Sequence, residues 1–531
     1  MTDTKFSFMS DNPMRTYPTP FVAQMNTLLG SQAEAFWKEL SQGEPYRAVR
    51  LNPLKATLQT LREALPFVLP PTPTPFSSLS FYVPASARLG ALGAFHSGMF
   101  YAQEPSAAAA VTVLDPQPGE RILDLCASPG GKSSQIAALT GDKGLLWSNE
   151  IDWGRMQILD SNLERMGIMN RVVSCAHPAQ LCAETAGQFD RVLVDAPCSG
   201  EGMFRRDAQA FAQWSIQAQK ACAIRQSEIL ESAAQALRPG GILVYSTCTF
   251  SPTENEDVIE SFLLRHKEFV PDFPAHITFG SPALRGLPAR RITPVHGGEG
   301  HFVARLKKVS TASEPFPNTR MDDQKQKRRG QHDRKSGNGE TSTLYHPVSR
   351  AQISSCANIW EQCFTTPLDD SIRQRLFWLG DAIRLCPPGI DPLQYSFPLR
   401  VGFAAVCRAS SLANSKSNAA NSHTRTRGYT NKNRMQSSRS HEIDLIPCHA
   451  AFMAHPAALC RQTLCLTHDD TQLSSFLQGM EIPCSPTLSG YVAVCCDGVV
   501  TGFGKAVNGR LKNKYPKGLR LQSAEAFWPV K

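Results

Sequence analysis

The stretch Arg121-Ile-Leu-Asp-Leu-Cys-Ala-Ser-Pro-Gly-Gly-Lys132 runs from a short apolar segment straight into a glycine turn, and Ser133 to Leu139 then has helical spacing. Adjacent glycines let the backbone come close to a ligand, and the helix amino terminus behind them favours a carboxylate or phosphate. The alternation continues downstream. Gly144 to Asn149 reads as a strand and Trp153 to Met166 as a helix. Further strands are predicted at 171–176, 190–195 and 241–247, with a long helix between 208 and 237. Such alternation predicts an α/β unit over 121–307, a largely parallel sheet wrapped by helices. Ligands of such sheets bind beyond the carboxyl ends of the strands.

The turn itself, Cys126, Ala127, Ser128, Pro129, Gly130, Gly131 and Lys132, narrows the ligand. Gly131-Lys132-Ser133 looks like the end of a phosphate-binding P-loop, but Cys126 stands where that loop needs its first glycine, which speaks against an ATPase. The dinucleotide fingerprint G-x-G-x-x-G is also missing. A turn for another nucleoside-bearing cofactor remains. Glu150 ends the next strand, where an acidic side chain can accept hydrogen bonds from both ribose hydroxyls. Asp152 competes for that role, and the plainer alternative has Glu150 capping the helix near Trp153.

Two later strands end in cysteines. Asp190-Arg-Val-Leu-Val-Asp195 runs into Ala196-Pro-Cys-Ser-Gly-Glu-Gly202, and Gly241-Ile-Leu-Val-Tyr-Ser-Thr247 into Cys248-Thr-Phe-Ser-Pro252. A cysteine is more often buried filler than a catalyst. Two thiols, each just past a buried strand at the ligand-binding edge, point instead to nucleophilic catalysis by Cys198 or Cys248. Asp195, three residues before Cys198, is placed to bond the ligand.

Around this unit the character changes. Phe21, Met25, Leu28, Leu29, Phe36 and Leu40 form an amphipathic pattern followed by Arg47-Ala-Val-Arg-Leu-Asn-Pro-Leu-Lys55, which predicts a helix and then a basic strand. Residues 309–345 read as a flexible basic linker, and 409–441, with six basic residues and no acidic one, as a disordered insertion. Residues 442–531 read as a small β-rich module. Its segment 501–520 carries six basic residues and no acidic one, interleaved with Phe503 and Tyr515. Basic groups suit phosphates and aromatics suit unstacked bases; the plainer alternative is a solvated hairpin face.

With 531 residues the chain is expected to hold two to four domains. A net charge of +9 permits a polyanionic partner without requiring one. Its 16 cysteines could suggest a disulfide framework, but the amino terminus shows no apolar signal segment and no Cys-x-x-Cys pair occurs. Reduced thiols, a soluble cytoplasmic location, no membrane partner and no metal are expected.

At these residues the chain resembles the Sun-type RNA cytosine-5 methyltransferase family. The resemblance rests on Tyr101-Ala-Gln-Glu-Pro-Ser106, Asp124-Leu-Cys-Ala-Ser-Pro-Gly-Gly-Lys132, Asp195-Ala-Pro-Cys-Ser-Gly200, Tyr245-Ser-Thr-Cys-Thr249 with Asn255-Glu256, and Gly300-His-Phe-Val-Ala304, and covers residues 20 to 307. It implies a Rossmann-like core whose S-adenosylmethionine pocket is lined by Cys126 to Lys132, Glu150 and Asp195. It further implies that Cys248 attacks carbon 6 of a cytosine and that Cys198 assists product release. Thiolate addition at carbon 6 would make carbon 5, otherwise too electron-poor, able to take a methyl group. One departure stands after the third strand, where Cys175-Ala-His-Pro178 lacks the polar or acidic residue often found near the adenine.

The carboxyl end, from Gly490-Tyr-Val-Ala-Val494 through Gly502-Phe-Gly-Lys505 to Asn508-Gly-Arg-Leu-Lys-Asn-Lys-Tyr-Pro-Lys-Gly-Leu-Arg520, is similar to the PUA-like module of a bacterial subgroup that methylates 16S ribosomal RNA. The organisation this implies is an N-terminal α+β RNA-binding domain at 1–108 and a methyltransferase core at 109–308. After the linker come a first C-terminal part at 346–408, the insertion at 409–441, and a PUA-like module at 442–531. The expected partner is ribosomal RNA, read by a monomer. The alternatives are a transfer RNA cytosine-5 methyltransferase and a non-catalytic ribosome-assembly factor.

Overall fold

The structure, a computed structural model, describes residues 17–309, 345–409 and 444–522. Apart from their end residues, the expected linker and insertion lie outside the described residues. Strands β1 (Ala48–Leu51), β2 (Ser80–Tyr82) and β3 (Phe100–Gln103) form an antiparallel sheet in the order β2-β1-β3. Ahead of it stand two helices rather than the one expected, Thr19–Leu29 and Ala33–Gln42. Gly30 takes a φ of +51° and ends the first. Their apolar faces, Phe21, Met25, Phe36 and Leu40, pack on Phe204, Trp214 and Phe250, residues just beyond the two cysteine loops.

The central sheet is built from β4 (Arg121–Asp124), β5 (Leu145–Glu150), β6 (Arg171–Cys175), β7 (Phe189–Asp195) and β8 (Leu237–Thr247). These five are parallel, in the order β8-β7-β4-β5-β6. The strand order reverses beside β4, which opens a crevice at the carboxyl ends of β4, β7 and β8. Strands β9 (Phe269–Pro271), β10 (Ser281–Pro282), β11 (Ala289–Ile292) and β12 (His301–Lys308) extend one side, and β12 lies antiparallel to β8. The long helix expected over 208–237 is two, Ala208–Gln213 and Ile216–Ala236. Ser215 caps the second by accepting from the Ala218 amide, and Trp214 between them is buried.

Beyond the core, β13 (Tyr345–Pro347), β14 (Leu376–Leu379) and β15 (Ala382–Leu385) begin a third sheet. Strand β16 (Leu399–Val401) leaves it to pair with β6 of the central sheet. Strand β17 (Phe403–Arg408) returns, and β18 (Leu445–Pro447) pairs with it, so the strands on either side of 410–443 share one sheet. The last sheet contains β19 (Thr463–Leu466), β20 (Ile482–Pro483), β21 (Gly490–Cys496), β22 (Val499–Val507) and β23 (Arg510–Asn513), in the order β19-β21-β22-β23-β20. Its apolar face shares a core with the amino-terminal sheet, Val49, Phe81 and Phe100 packing with Phe476, Val492 and Tyr515. Among the described residues no helix is long and apolar enough to cross a membrane.

Candidate active site

The glycine turn after β4 is held from three sides. The Ala127 amide donates to Asn149 O of β5 at 2.8 Å, and Gly130 folds back to Ala127 O at 2.8 Å. Gly130 has a φ of +108°, a conformation a side chain would strain, and the Ser128–Pro129 bond is cis. Asn162 Nδ2 donates to Pro129 O at 2.9 Å from the helix Trp153–Arg165. The third hold comes from the amino-terminal sheet. Arg50 of β1 is fully buried and donates to Gly131 O at 2.8 Å, to Ser134 Oγ at 2.6 Å and to Gln103. Its basic stretch therefore does not all face outward: Arg50 is a brace for the turn.

Carboxylates gather at the root of this turn. Asp124 is buried, accepts from Ser133 Oγ at 2.6 Å, and leaves Oδ1 without a partner. Burial pushes its carboxyl up to about 7. Glu150 accepts from the amides of Ile151 and Asp152 through Oε1 and pairs through Oε2 with the exposed Arg155 at 3.2 Å. The expected competitor Asp152, not Glu150, caps the following helix, accepting from the Arg155 amide at 2.8 Å. The Cys126 thiol lies near these groups, and burial, then Asp124 and Asp195, push it well up. A thiol so held keeps its proton.

Across the crevice, Lys132 Nζ meets Asp195 Oδ2 at 2.7 Å. Asp195 Oδ1 accepts from Ser246 Oγ at 2.7 Å and faces His301 Nε2 at 3.6 Å. Burial alone would raise the Asp195 carboxyl, but Lys132 and then His301 outweigh it and hold it well below the usual range. The same pairing raises Lys132 against its own desolvation. The site thus keeps one fixed anion and one fixed cation.

Cys198 and Cys248 stand beside this pair with their sulfurs 3.3 Å apart. Both are half-buried, at the ends of the adjacent strands β7 and β8. A hydrogen bond to Cys248, and then burial, push the Cys198 thiol well up. The Cys198 thiol, so placed, keeps its proton. The loops approach this closely because Gly202 carries no side chain: a Cβ there would lie 2.9 Å from both Cys248 O and Gly300 O. Its amide donates to Cys248 O at 2.8 Å.

The turn 126–132, Glu150, Asp195, Cys198 and Cys248 are thus brought together, with Glu150 Oε1 held by the amides of its own loop. Four residues escaped the sequence reading of the site. Ser246 and His301 lie within the quoted motifs, Arg50 and Glu254 outside them, but only tertiary packing brings all four to the site. Glu254 had the one visible signal, an acidic residue six positions after Cys248 (254 − 248). The opposite correction falls on Phe503 and Tyr515, expected to meet unstacked bases. Both are buried, Phe503 stacked on Phe452 with centroids 4.5 Å apart and Tyr515 bonded to His96 at 2.8 Å.

A five-stranded parallel run with a glycine turn after its first strand and a crevice at the order reversal defines a Rossmann-like core, a fold that binds nucleoside cofactors at that edge. Three family models match along the chain: the N-terminal domain of 16S rRNA methyltransferase RsmF over residues 17–105, 16S rRNA methyltransferase RsmB/F over 111–307, and the methyltransferase RsmF PUA domain over 463–521. Ribosomal RNA small subunit methyltransferase F of Klebsiella pneumoniae is 36% identical over 313 residues, covering 57% of this chain and 65% of the relative. The protein of that name from Erwinia tasmaniensis is 34% identical over 330 residues, covering 58% and 67%. The crystal structure of PH0851 matches with a TM-score of 0.52 at 28% identity, covering 55% of this chain and 66% of that one. The chain belongs to the RsmB/F family of 16S rRNA methyltransferases. It spans 65% of the length of the first of these relatives.

Proposed function

We propose that this protein transfers a methyl group from S-adenosylmethionine to carbon 5 of a cytosine in small-subunit ribosomal RNA, with Cys248 as the nucleophile. The observation that carries this reading is the pair of thiols 3.3 Å apart beside the Lys132–Asp195 ion pair. The cofactor fits the residues of the turn. Asp124 Oδ1 is a buried acceptor without a partner, and among the described residues Glu150 Oε2 is met by the exposed Arg155. Residues 126–132, Glu150 and Asp195 would hold it. When bound, it supplies an electrophilic methyl group.

The chain's own residues do the rest. Cys248, as thiolate, adds to carbon 6 of a cytosine turned out of its stack, which makes carbon 5 nucleophilic. Lys132 and Asp195 present a fixed cation and anion to the ring as its charge changes, at little reorganisation cost. After methylation a base removes the carbon 5 proton and the carbon–sulfur bond breaks. Cys198, still protonated, lies next to the sulfur that must leave and assists its departure.

RNA contact is supported by the register of the last sheet. Lys505 of β22 and Lys512 of β23 sit directly opposite each other, and both are exposed. Like charges so placed cost stability unless an anion neutralises them. Cytoplasmic location follows from a ribosomal RNA substrate.

The test is methyl transfer from labelled cofactor to small-subunit ribosomal RNA. Cys248→Ala is expected to reduce transfer to background while calorimetric cofactor affinity stays as in the parent. Transfer at the parent rate in that variant would refute the nucleophile.

A further inference from the structure

Glu254 is buried on the turn after Cys248 and touches both cysteine loops at once. Its Oε2 accepts from the Ser199 amide at 2.9 Å, and Ser199 directly follows Cys198. Its Oε1 accepts from the Ser199 hydroxyl and, at 3.4 Å, from the hydroxyl of Thr249, which directly follows Cys248. Gln226 Nε2 donates to Oε2 at 3.0 Å from the helix Ile216–Ala236, and to Pro197 O at 3.0 Å. Every neighbour offers a hydrogen, so the site is made for a group that only accepts. The Glu254 carbonyl is separately fixed by the Tyr245 hydroxyl at 2.6 Å.

We propose that Glu254 is the positioning residue that holds the Cys198 and Cys248 thiols in contact, and that it serves release of the methylated base more than methyl addition. This rests on the two-cysteine reading above. The Cys248 loop has anchors of its own: Thr247 Oγ1 donates to Asn255 at 2.6 Å, and Asn255 Nδ2 to Thr249 O at 3.0 Å. The nucleophile therefore stays in place without Glu254. The Cys198 loop retains the Ala196 amide bond to Ser246 O, the Gln226 bond to Pro197 O, the Gly202 amide bond to Cys248 O, the Phe250 amide bond to Glu201 and the Ser199–Thr249 hydroxyl contact, and loses the carboxylate's hold on the Ser199 amide and hydroxyl, directly after Cys198. The sulfur pair, not the strand pairing, is what relaxes. Replacing the carboxylate by an amide keeps the shape but turns a donor toward donors.

The test compares the parent, Glu254→Gln and Ser199→Ala, the second removing one of the four donors and leaving the carboxylate. Contact of the thiols is read directly with diamide: each thiol gives its hydrogen to the azo bond, which becomes the hydrazine, and a sulfur–sulfur bond forms between Cys198 and Cys248. Peptide mass mapping follows the rate. Glu254→Gln is expected to slow this bond about tenfold or more, and Ser199→Ala to fall between. In single turnover with RNA, Glu254→Gln should accumulate covalent protein–RNA adduct at a nearly parental rate of methyl addition. Unchanged disulfide kinetics, or slower oxidation without adduct build-up, would overturn the proposal. Should the parent itself form no adduct and transfer no methyl group, the proposed function fails while the diamide rates still test the clamp.

Discussion

Asp160 sits buried among three guanidiniums, 3.1 Å from Arg171, 3.0 Å from Arg400 and 3.9 Å from Arg384. Burial alone would raise its carboxyl, but Arg171, then Arg384 and Arg400, outweigh it and lower it to about 2. A folded-state value below the unfolded one stabilises at pH above about 4, and that stability is lost as the pH falls toward 2, so the group contributes about 2 kcal/mol at neutral pH. Asp160→Asn should cost several kcal/mol at pH 7, about 3 to 5 by the usual cost of breaking a buried pair. Urea unfolding should show the gap between parent and variant narrowing by about 1 kcal/mol between pH 6 and pH 3. A constant gap would mean that Asp160 does not stay ionised in the fold. Cys198, Cys248, Asp195 and Lys132 were legible as single letters because each lies at a strand's end or on the segment that follows it, where alternation alone predicts a ligand. Arg50, His301 and Glu254 were not, because what they do depends on partners remote in sequence; Arg50 and Ser134 are 84 residues apart.

At the scale of elements, the strands of the core were readable and the helix breaks were not. Each core strand lies within a few residues of its expected span, since burial on both faces leaves an apolar run in the sequence. The two breaks depend on local detail instead. One needs the positive φ of Gly30, the other the burial of Trp214 ahead of a serine cap. Strand β16 gave no periodic signal over three residues, yet Leu399–Val401 completes the edge of the central sheet. Strand β1 makes the amino-terminal element a structural part of the cofactor turn. Arg50→Met is expected to destabilise the protein by about 1 to 3 kcal/mol, since Gly131 O and Gln103 lose a buried donor. Cofactor affinity should fall with it, measured by calorimetry beside a denaturation curve. Loss of stability with unchanged affinity would remove Arg50 from any role in the turn.

At the scale of the molecule, the carboxyl-terminal module is not an appendage. Its sheet shares a hydrophobic core with the amino-terminal one, Tyr515 bonds His96, and His449 pairs with Glu164 of the central unit at 3.0 Å. Truncating residues 485–531 would therefore strip the first domain as well, and RNA contact is better tested by charge. Replacing Lys505, Lys512 and Lys517, all exposed, with alanine should weaken RNA binding and lower its salt-dependence slope by about three, one per phosphate contact, with cofactor affinity unchanged. An unaltered slope would assign this face to solvent. The most direct measurement of the central claim uses Cys198→Ala with cofactor and small-subunit ribosomal RNA, separated on a denaturing gel and mapped by peptide mass. A slow-migrating adduct with the nucleotide on the peptide containing Cys248 is the predicted result; no adduct, or one on another residue, would contradict it.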